Sequence, residues 1–436
     1  MKKVFILFFA VFLIGCESSE KKHEEELNTV AKDTYAFFEE FTDQKTGLTS
    51  DRVDVRDHID KAGHTSPTNI AMYILSTVSA VDLDVISREE GQEKIAATLD
   101  TLQEMDTWNG LYYNWYYINS GEIMSDWGQF ISMVDNGWLT ASLIIAGEYF
   151  DGLNAQSSDL VDKMNYRSLY DEDHDLFRGG YDVAEQKMTD HHYGTFYSET
   201  RMTSYLAIGK GDVPEKHWWA MNRTQLPSDT WQSQIPEGEK VTYDGTELYQ
   251  GHYEYEDITF VPSWGGSMFE GLMPALILDE IQLAEKGLGL NNARHVEAQI
   301  KYAEINDLNA WGLSPAATLN GYSEFGVPEM GISGYESQST VTPHASFLAL
   351  DYDSDAVMSN LKKLREYDIY GEYGYYDSVN LKTETVAQSY LALDQGMIML
   401  AIANYLNDGV IRESFHNTEI GSNPEHLLKK EDFLIN

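Results

Sequence analysis

Apolar residues along this chain recur mostly at helical spacing. Ile70, Tyr73, Ile74, Val78 and Val81 follow Ser66 and Pro67, a capping residue with a proline at the first helical position, so a helix is predicted to start there. Ser87 with Glu90 three residues on gives a capping-box signature ahead of Ile95, Leu99 and Leu102. Thr342 and Pro343 repeat the cap-then-proline signal before Phe347 and Leu348. The same period predicts helices over residues 28–42, 128–150, 196–209, 266–286, 292–306, 354–367 and 384–407. The last is apolar nearly all round from Met397 to Leu406, as suits a helix in the middle of a domain, and Gly409 is placed to end it. Between the helices lie stretches rich in Gly, Tyr, Trp, Asn and Asp, at 107–127, 210–263 and 308–341, and loops that long in a compact domain are usually functional. Short strands are expected within 238–262, where Tyr243, Tyr249, Tyr253 and Tyr255 recur at odd positions. The whole pattern predicts an all-α domain, a toroid of helical hairpins whose aromatic loops build a cleft at one end.

The N-terminus departs from this pattern. Lys2 and Lys3 precede an apolar run from Val4 to Ile14, about half of what a membrane span needs, and then come Gly15, Cys16 and a charged stretch. Leu13, Ile14, Gly15 and Cys16 resemble a bacterial lipobox, which implies cleavage before Cys16 and its acylation. Residues 1–15 are therefore read as a lipoprotein signal, 16–27 as a flexible tether and 28–436 as one domain, anchored by its lipid in the cell envelope and expected to be a monomer. Cys16 is the single cysteine, so no disulfide can form within the chain and neither a thiolate nucleophile nor a cysteine zinc site is expected. Only 10 prolines are scattered through the sequence and no Pro-rich or Gly/Ser-rich tract divides it, which favours a single domain.

Charge narrows the partners. Lys+Arg 30 against Asp+Glu 71 gives a net charge of −41, which repels phosphate backbones and anionic lipid, so nucleic acid is excluded and a neutral ligand fits better. The excess is read chiefly as a solubility feature. No GxGxxG or GxxxxGK[ST] loop is present, so no nucleotide cofactor is expected. No metal site is expected either. Asp171, Asp173 and Asp175 lack the glycine and closing glutamate of a calcium loop, and the adjacent His191 and His192 would point in different directions.

Nine Trp and 28 Tyr are more than a helical core needs, and several crowd polar loops: Tyr112, Tyr113, Trp115, Tyr116 and Tyr117 surround Asn114. Aromatic faces stack on sugar C–H faces while their O–H and N–H groups reach hydroxyls, so a neutral carbohydrate suits these loops. Glycoside hydrolysis needs one carboxyl to protonate the departing oxygen and a second to activate water or attack the anomeric carbon. Glu199, in YSETR, has an aromatic setting that would raise its pKa and a neighbour, Arg201, that would lower it. Glu270, in SMFEGLMP, is set among apolar side chains; it reads equally well as a buried brace between helix and loop. Asp135 and Asn136 in VDNGW, Asp377 in YGYYDSVN and Asp394 in LDQGM each place an acid beside an amide or hydroxyl and close to aromatics. Such groups bind sugar hydroxyls, or else act as caps and braces.

In order along the chain, TSPTNIAMYI, GLYYNWYY, VDNGW, YSETR, PSWGGSMFEGLMP, WGLSP with GY, VTPHASFLAL, YGYYDSVN and YLALDQGMIMLAIANYL resemble the glycoamylase-like domain of bacterial endo-β-1,2-glucanases (glycoside hydrolase family 144) and of a region of cyclic β-1,2-glucan synthases. The resemblance runs from about Thr65 to Phe415. It implies an (α/α)6 toroid and inverting hydrolysis of a β-1,2-linked glucan, with Glu199 as the general acid and the second carboxyl left among Asp377, Asp394 and Glu270. The same blocks imply substrate contacts from Asn114, Trp115, Tyr116, Asp135, Asn136 and Arg201, and further along from Trp264, Trp311, Tyr335, His344 and Tyr376. A surface glycan-binding lipoprotein, a transglycosylase and an exo-acting glucosidase remain as alternatives.

Overall fold

The structure, a computed structural model, describes residues 3–125 and 128–435, with side chains from residue 21 onward. Sixteen helices, none longer than 39 residues, are joined by loops that carry nine small sheets of two or three strands among the described residues. The framework is thus helical, as the periodicity predicts, but the loops are more strand-rich than an all-α reading allows. The strands expected within 238–262 form a three-stranded meander, Glu237–Tyr243, Thr246–Tyr255 and Ile258–Phe260.

Four helices make the centre. Helix α1 (Lys3–Phe41), α2 (Pro67–Asp82), α4 (Met133–Tyr149) and α13 (Ala392–Leu406) pack in a contiguous layer in which α2 touches both α4 and α13, and α1 touches α13. Every residue of α2 from Pro67 to Val81 is buried, which explains why it lacks a polar stripe. Ser66 caps it through Oγ, which accepts from the Asn69 N–H. The cap on α3 (Arg88–Glu104) also forms, with Ser87 Oγ accepting from the Glu90 N–H. Next in order come α5 (Asn154–Lys163), α6 (Thr200–Gly209), α7 (Lys216–Ala220), α8 (Met268–Leu272), α9 (Glu280–Leu283), α10 (Leu288–Ile305), α11 (Pro343–Phe347) and α12 (Ser354–Leu364). Helices α14 (Val410–His416), α15 (Glu419–Ser422) and α16 (Glu425–Lys430) close the chain.

Several predicted boundaries move for local reasons. The helix predicted over 384–407 starts at Ala392, because Thr385–Ala387 and Ser389–Leu391 are strands that pair with Ser378–Asn380 and Arg52–Asp54. The one predicted over 266–286 is broken into α8, a 3-10 turn at Met273–Leu276 and α9, with Pro274 at the break. Gly409, at φ 84°, begins α14 after α13 has already ended at Leu406. Residues 16–27, read as a flexible tether, lie within α1, and Leu27 is fully buried, so packing begins inside that segment. The Cys16 side chain lies outside the described residues. No helix among the described residues is long and apolar enough to cross a membrane.

Candidate active site

One cavity collects most of the chemistry. It holds about 510 Å³ and is bounded by the first turns of α2, α4, α6, α8 and α13 together with Asp51 and Arg52. Helix N-termini present unsatisfied N–H groups and favour negative charge nearby, so their convergence suits an array of carboxyls. Its walls include Trp115, Trp138, Tyr193, Phe269 and Tyr322 beside the acids Asp51, Asp135 and Glu199.

Glu199 is the residue immediately before α6, and its side chain caps no backbone group, which leaves the carboxyl facing the cavity. Burial pushes its pKa up to about 7, and the neighbouring Glu270 anion adds to the shift; Arg201 opposes it only weakly. Glu270 is held differently. It completes the capping box of α8, and its carboxylate accepts from Ser263 Oγ (2.9 Å), Gly265 N (3.0 Å), Ser267 Oγ (2.9 Å) and Ser267 N (3.2 Å). A carboxylate so fully engaged has little freedom to act as a nucleophile, so Glu270 is a brace whose charge tunes Glu199. Gly265 makes this possible: a Cβ there would meet the Tyr335 ring at 2.1 Å.

Behind the wall formed by Ala317 and Leu393 lies a second, fully buried group. Asp377 accepts from the Ala317 N–H through Oδ2 and is hydrogen-bonded to Asp394. Burial raises both, and the Asp377 charge adds to the rise at Asp394, which lies well above the usual carboxylate range. Asp377 Oδ1 and Asp394 Oδ2 find no N–H or O–H donor among the described residues, and two buried acids in hydrogen-bond contact favour holding one proton between them. His344 Nδ1 lies 3.4 Å from Asp394 Oδ2, but burial pushes the His344 pKa down to about 3, so the imidazole is neutral. Tyr322, half-exposed on the cavity wall, lies near both groups: its phenol is pushed up by its surroundings and by the charges of Asp394, Asp377 and Glu199.

On the opposite wall, Asp135 accepts from Thr68 Oγ1 at 2.6 Å, and Asp51 accepts from Asn69 Nδ2 at 2.7 Å. With its amide oriented to satisfy both neighbours, Asn114 donates to Asp135 Oδ2 (3.1 Å) and accepts from Trp115 Nε1 (3.0 Å). Burial raises the Asp51 pKa, the Asn69 hydrogen bond and nearby cations opposing it.

Of the residues expected at the site, Glu199, Trp115 and Asp135 line the cavity, and Asn114, Glu270, Asp377, Asp394, His344 and Tyr335 back it. The others lie outside the cavity lining. Arg201 is fully buried and its guanidinium is consumed by Glu280 and three carbonyls, so it reaches no ligand. Asn136 is likewise fully buried, bonded to the Tyr112 backbone on both sides. Tyr116 donates to the Asp106 carbonyl and receives the Tyr113 N–H. Trp311 is buried, and its backbone pairs with the Asn360 amide. Tyr376 packs on Tyr390, and Trp264 is exposed outside the cavity, 5.9 Å from Trp231. Sequence reasoning missed Asp51, Thr68, Asn69, Tyr193 and Tyr322; only Trp138 had a signal, three residues after Asp135 on the same helical face.

Family comparison fits this geometry. Residues 191–419, more than half of the chain, match the Glycoamylase family model, described as "Putative glucoamylase", and the chain belongs to that family. Residues 29–194 match a second family model, DUF3131, of unknown function. The chain is 24% identical to the cyclic β-(1,2)-glucan synthase NdvB of Rhizobium meliloti over 93% of its own length and 18% of that protein's. It is 22% identical, over 88% of its length, to an exo β-1,2-glucooligosaccharide sophorohydrolase of Parabacteroides distasonis, of which it spans about half (55%). In fold it is similar to the endo-β-1,2-glucanase of Chitinophaga pinensis, solved with sophorotriose and glucose, at a TM-score of 0.74 and 18% identity, covering 93% of this chain and 98% of that one.

Proposed function

We propose that this protein hydrolyses β-1,2-linked glucan internally and with inversion, in the mouth of an (α/α)6 toroid. The observation that carries the reading is Glu199, a carboxyl held protonated near neutrality in an aromatic-lined cavity. A carboxyl with a pKa close to the working pH is the best proton donor to a departing sugar oxygen. The Asp377–Asp394 pair, carrying one proton and lying behind the wall, accepts the proton that water loses by relay through the Tyr322 hydroxyl, which feels both acids and Glu199. Asp51, Asp135 and Asn114 bind hydroxyls, and Trp115 and Tyr193 stack on the rings. Two relatives named for β-1,2-glucans support the linkage. Export and lipid attachment at Cys16 belong to the same reading, on the strength of the lipobox-like run.

Purified protein incubated with linear β-1,2-glucan should release a ladder of shorter oligosaccharides, and proton NMR of the first products should show the α-anomer at the new reducing end. Product confined to disaccharide would replace endo by exo action, and a β-anomer first product would exclude inversion. No new reducing ends would overturn the reading.

The acid pair separates its members. Asp377→Asn removes the acceptor and should slow turnover by roughly 10²–10⁴-fold. Asp394→Asn still donates an N–H to Asp377, as the protonated acid does, and should cost about tenfold or less. Equal losses in the two variants would sink the assignment of the proton to Asp394.

A further inference from the structure

Away from the cavity, Asp171, His174 and His192 bring three metal-ligating atoms within 4.8 Å of one another. Asp171 Oδ2 lies 3.1 Å from His174 Nδ1 and 2.9 Å from His192 Nε2, and the two imidazoles sit 4.7 Å apart. We propose that these residues form a binding site for a divalent transition ion of the zinc class. Two imidazoles and one carboxylate are the donor set such ions prefer, with water free to take the fourth position.

The placement supports the chemistry. Asp171 ends one strand, Tyr170–Asp171, and His192 begins another, His192–Tyr193, and both pair with Leu176–Arg178 in one small sheet. Asp171 Oδ1 accepts the Asp173 N–H, which fixes the carboxylate and leaves Oδ2 to the histidines. His174 is 58% exposed at its side chain and opens the site to solvent. The adjacent His191 packs against Gly179, so only one of the two neighbouring histidines joins the cluster. In a tetrahedral site with bonds of ~2.0–2.2 Å, ligand atoms stand about 3.3–3.6 Å apart, so Asp171 Oδ2 needs to draw back from each imidazole nitrogen by only about half an ångström or less. The surrounding surface carries Glu172, Asp173 and Asp190, and the chain as a whole is strongly acidic, which attracts a cation.

One group opposes it. The Arg178 guanidinium also donates to Asp171 Oδ2, and more weakly to the Thr189 and Asp190 carbonyls. It is a resident cation that a metal ion must displace or share. A metal here would clamp the strand that carries Tyr193, which lines the cavity, a few residues ahead of Glu199.

The test is zinc titration of chelator-treated protein followed by calorimetry, with cobalt(II) absorption as the probe of geometry. Wild type should take up one equivalent and show the visible bands of a four-coordinate cobalt site. His192→Ala should weaken binding by about tenfold or more. His174→Ala should do the same, and its exposed ring makes it a variant that folds. Arg178→Gln should bind zinc more tightly than wild type, an outcome a purely structural cluster would not give. Failure of wild type to bind, or binding unaltered in both histidine variants, overturns the proposal. None of these readouts involves glucan, so they stand or fall separately from the hydrolase reading.

Discussion

Glu199→Gln should bind glucan as the wild type does and turn it over roughly 10²–10⁴-fold more slowly. The amide fills the same space beside Phe269 and Tyr193 but has no acidic proton for the departing oxygen. Wild-type rate should fall as pH rises through about 7, where Glu199 ionises, and the residual rate of the variant should lack that limb. The same proton has a signature in stability. The folded pKa, about 7, exceeds the ordinary 4.5, so the folded state holds the proton more tightly than the unfolded chain. Stability contributed by this group is therefore complete below about pH 4.5 and is lost progressively up to about 7. Removing the ionisable group should stabilise the fold at pH 8 by up to roughly 3 kcal/mol, at about 1.4 kcal/mol per unit, and leave it unchanged at pH 4. Denaturant unfolding at the two pH values measures this directly. Reduced turnover without the pH-dependent gain would mean that the glutamate is ionised at neutral pH and is not the acid.

Glu199 was legible because its own neighbours announce it: aromatics precede it and a helical run follows. The acid on the facing wall was not. Asp51 sits in TSDRVD, which reads as an ordinary surface turn, and only the pairing of Arg52–Asp54 with Ser389–Leu391 carries it to the start of α13. Tyr322 and Tyr193 lie on short strands whose position depends on contacts remote in sequence, and no local period encodes that. The misread residues have the reverse problem. Arg201, Asn136 and Tyr116 sit next to true cavity residues in the chain, but a helix or a turn sends neighbouring side chains in different directions. Adjacency in a motif identifies the segment at the site and not the side chains that face it. The helical framework was readable because α2 and α13 are buried almost all round, whereas the strands at 385–391 were absorbed into a predicted helix because an apolar run alone does not distinguish the two.

Arg201→Met should lower unfolding free energy by about 3–5 kcal/mol, the cost of leaving a buried charge without its partner. Arg201 and Glu280 are both completely buried and meet in a two-pronged pair, Nε to Oε1 at 2.7 Å and Nη2 to Oε2 at 2.8 Å. Glu280 also receives the Asn292 amide at 2.7 Å, and Asn292 in turn accepts from the Tyr197 hydroxyl at 2.7 Å. The arginine's remaining N–H groups go to the carbonyls of Ser198, Glu270 and Gly271. Those carbonyls flank Glu199 and Glu270, and burial first and the Glu270 charge second raise Glu199, so the guanidinium fixes the spacing of the pair while touching no sugar itself. Arg201→Lys keeps the charge but cannot span five acceptors with a rigid fork, and it should lose activity with little change in glucan affinity. Pairing Arg201→Met with Glu280→Leu should recover only part of the lost stability, because the salt bridge is then gone from both sides but the Glu270 and Gly271 carbonyls have lost their guanidinium donor, whereas Ser198 keeps the Arg201 backbone N–H. Full recovery in the double variant would show that the ion pair is the whole of its role; partial recovery, with activity still depressed, is the result expected of a clamp on the catalytic turn.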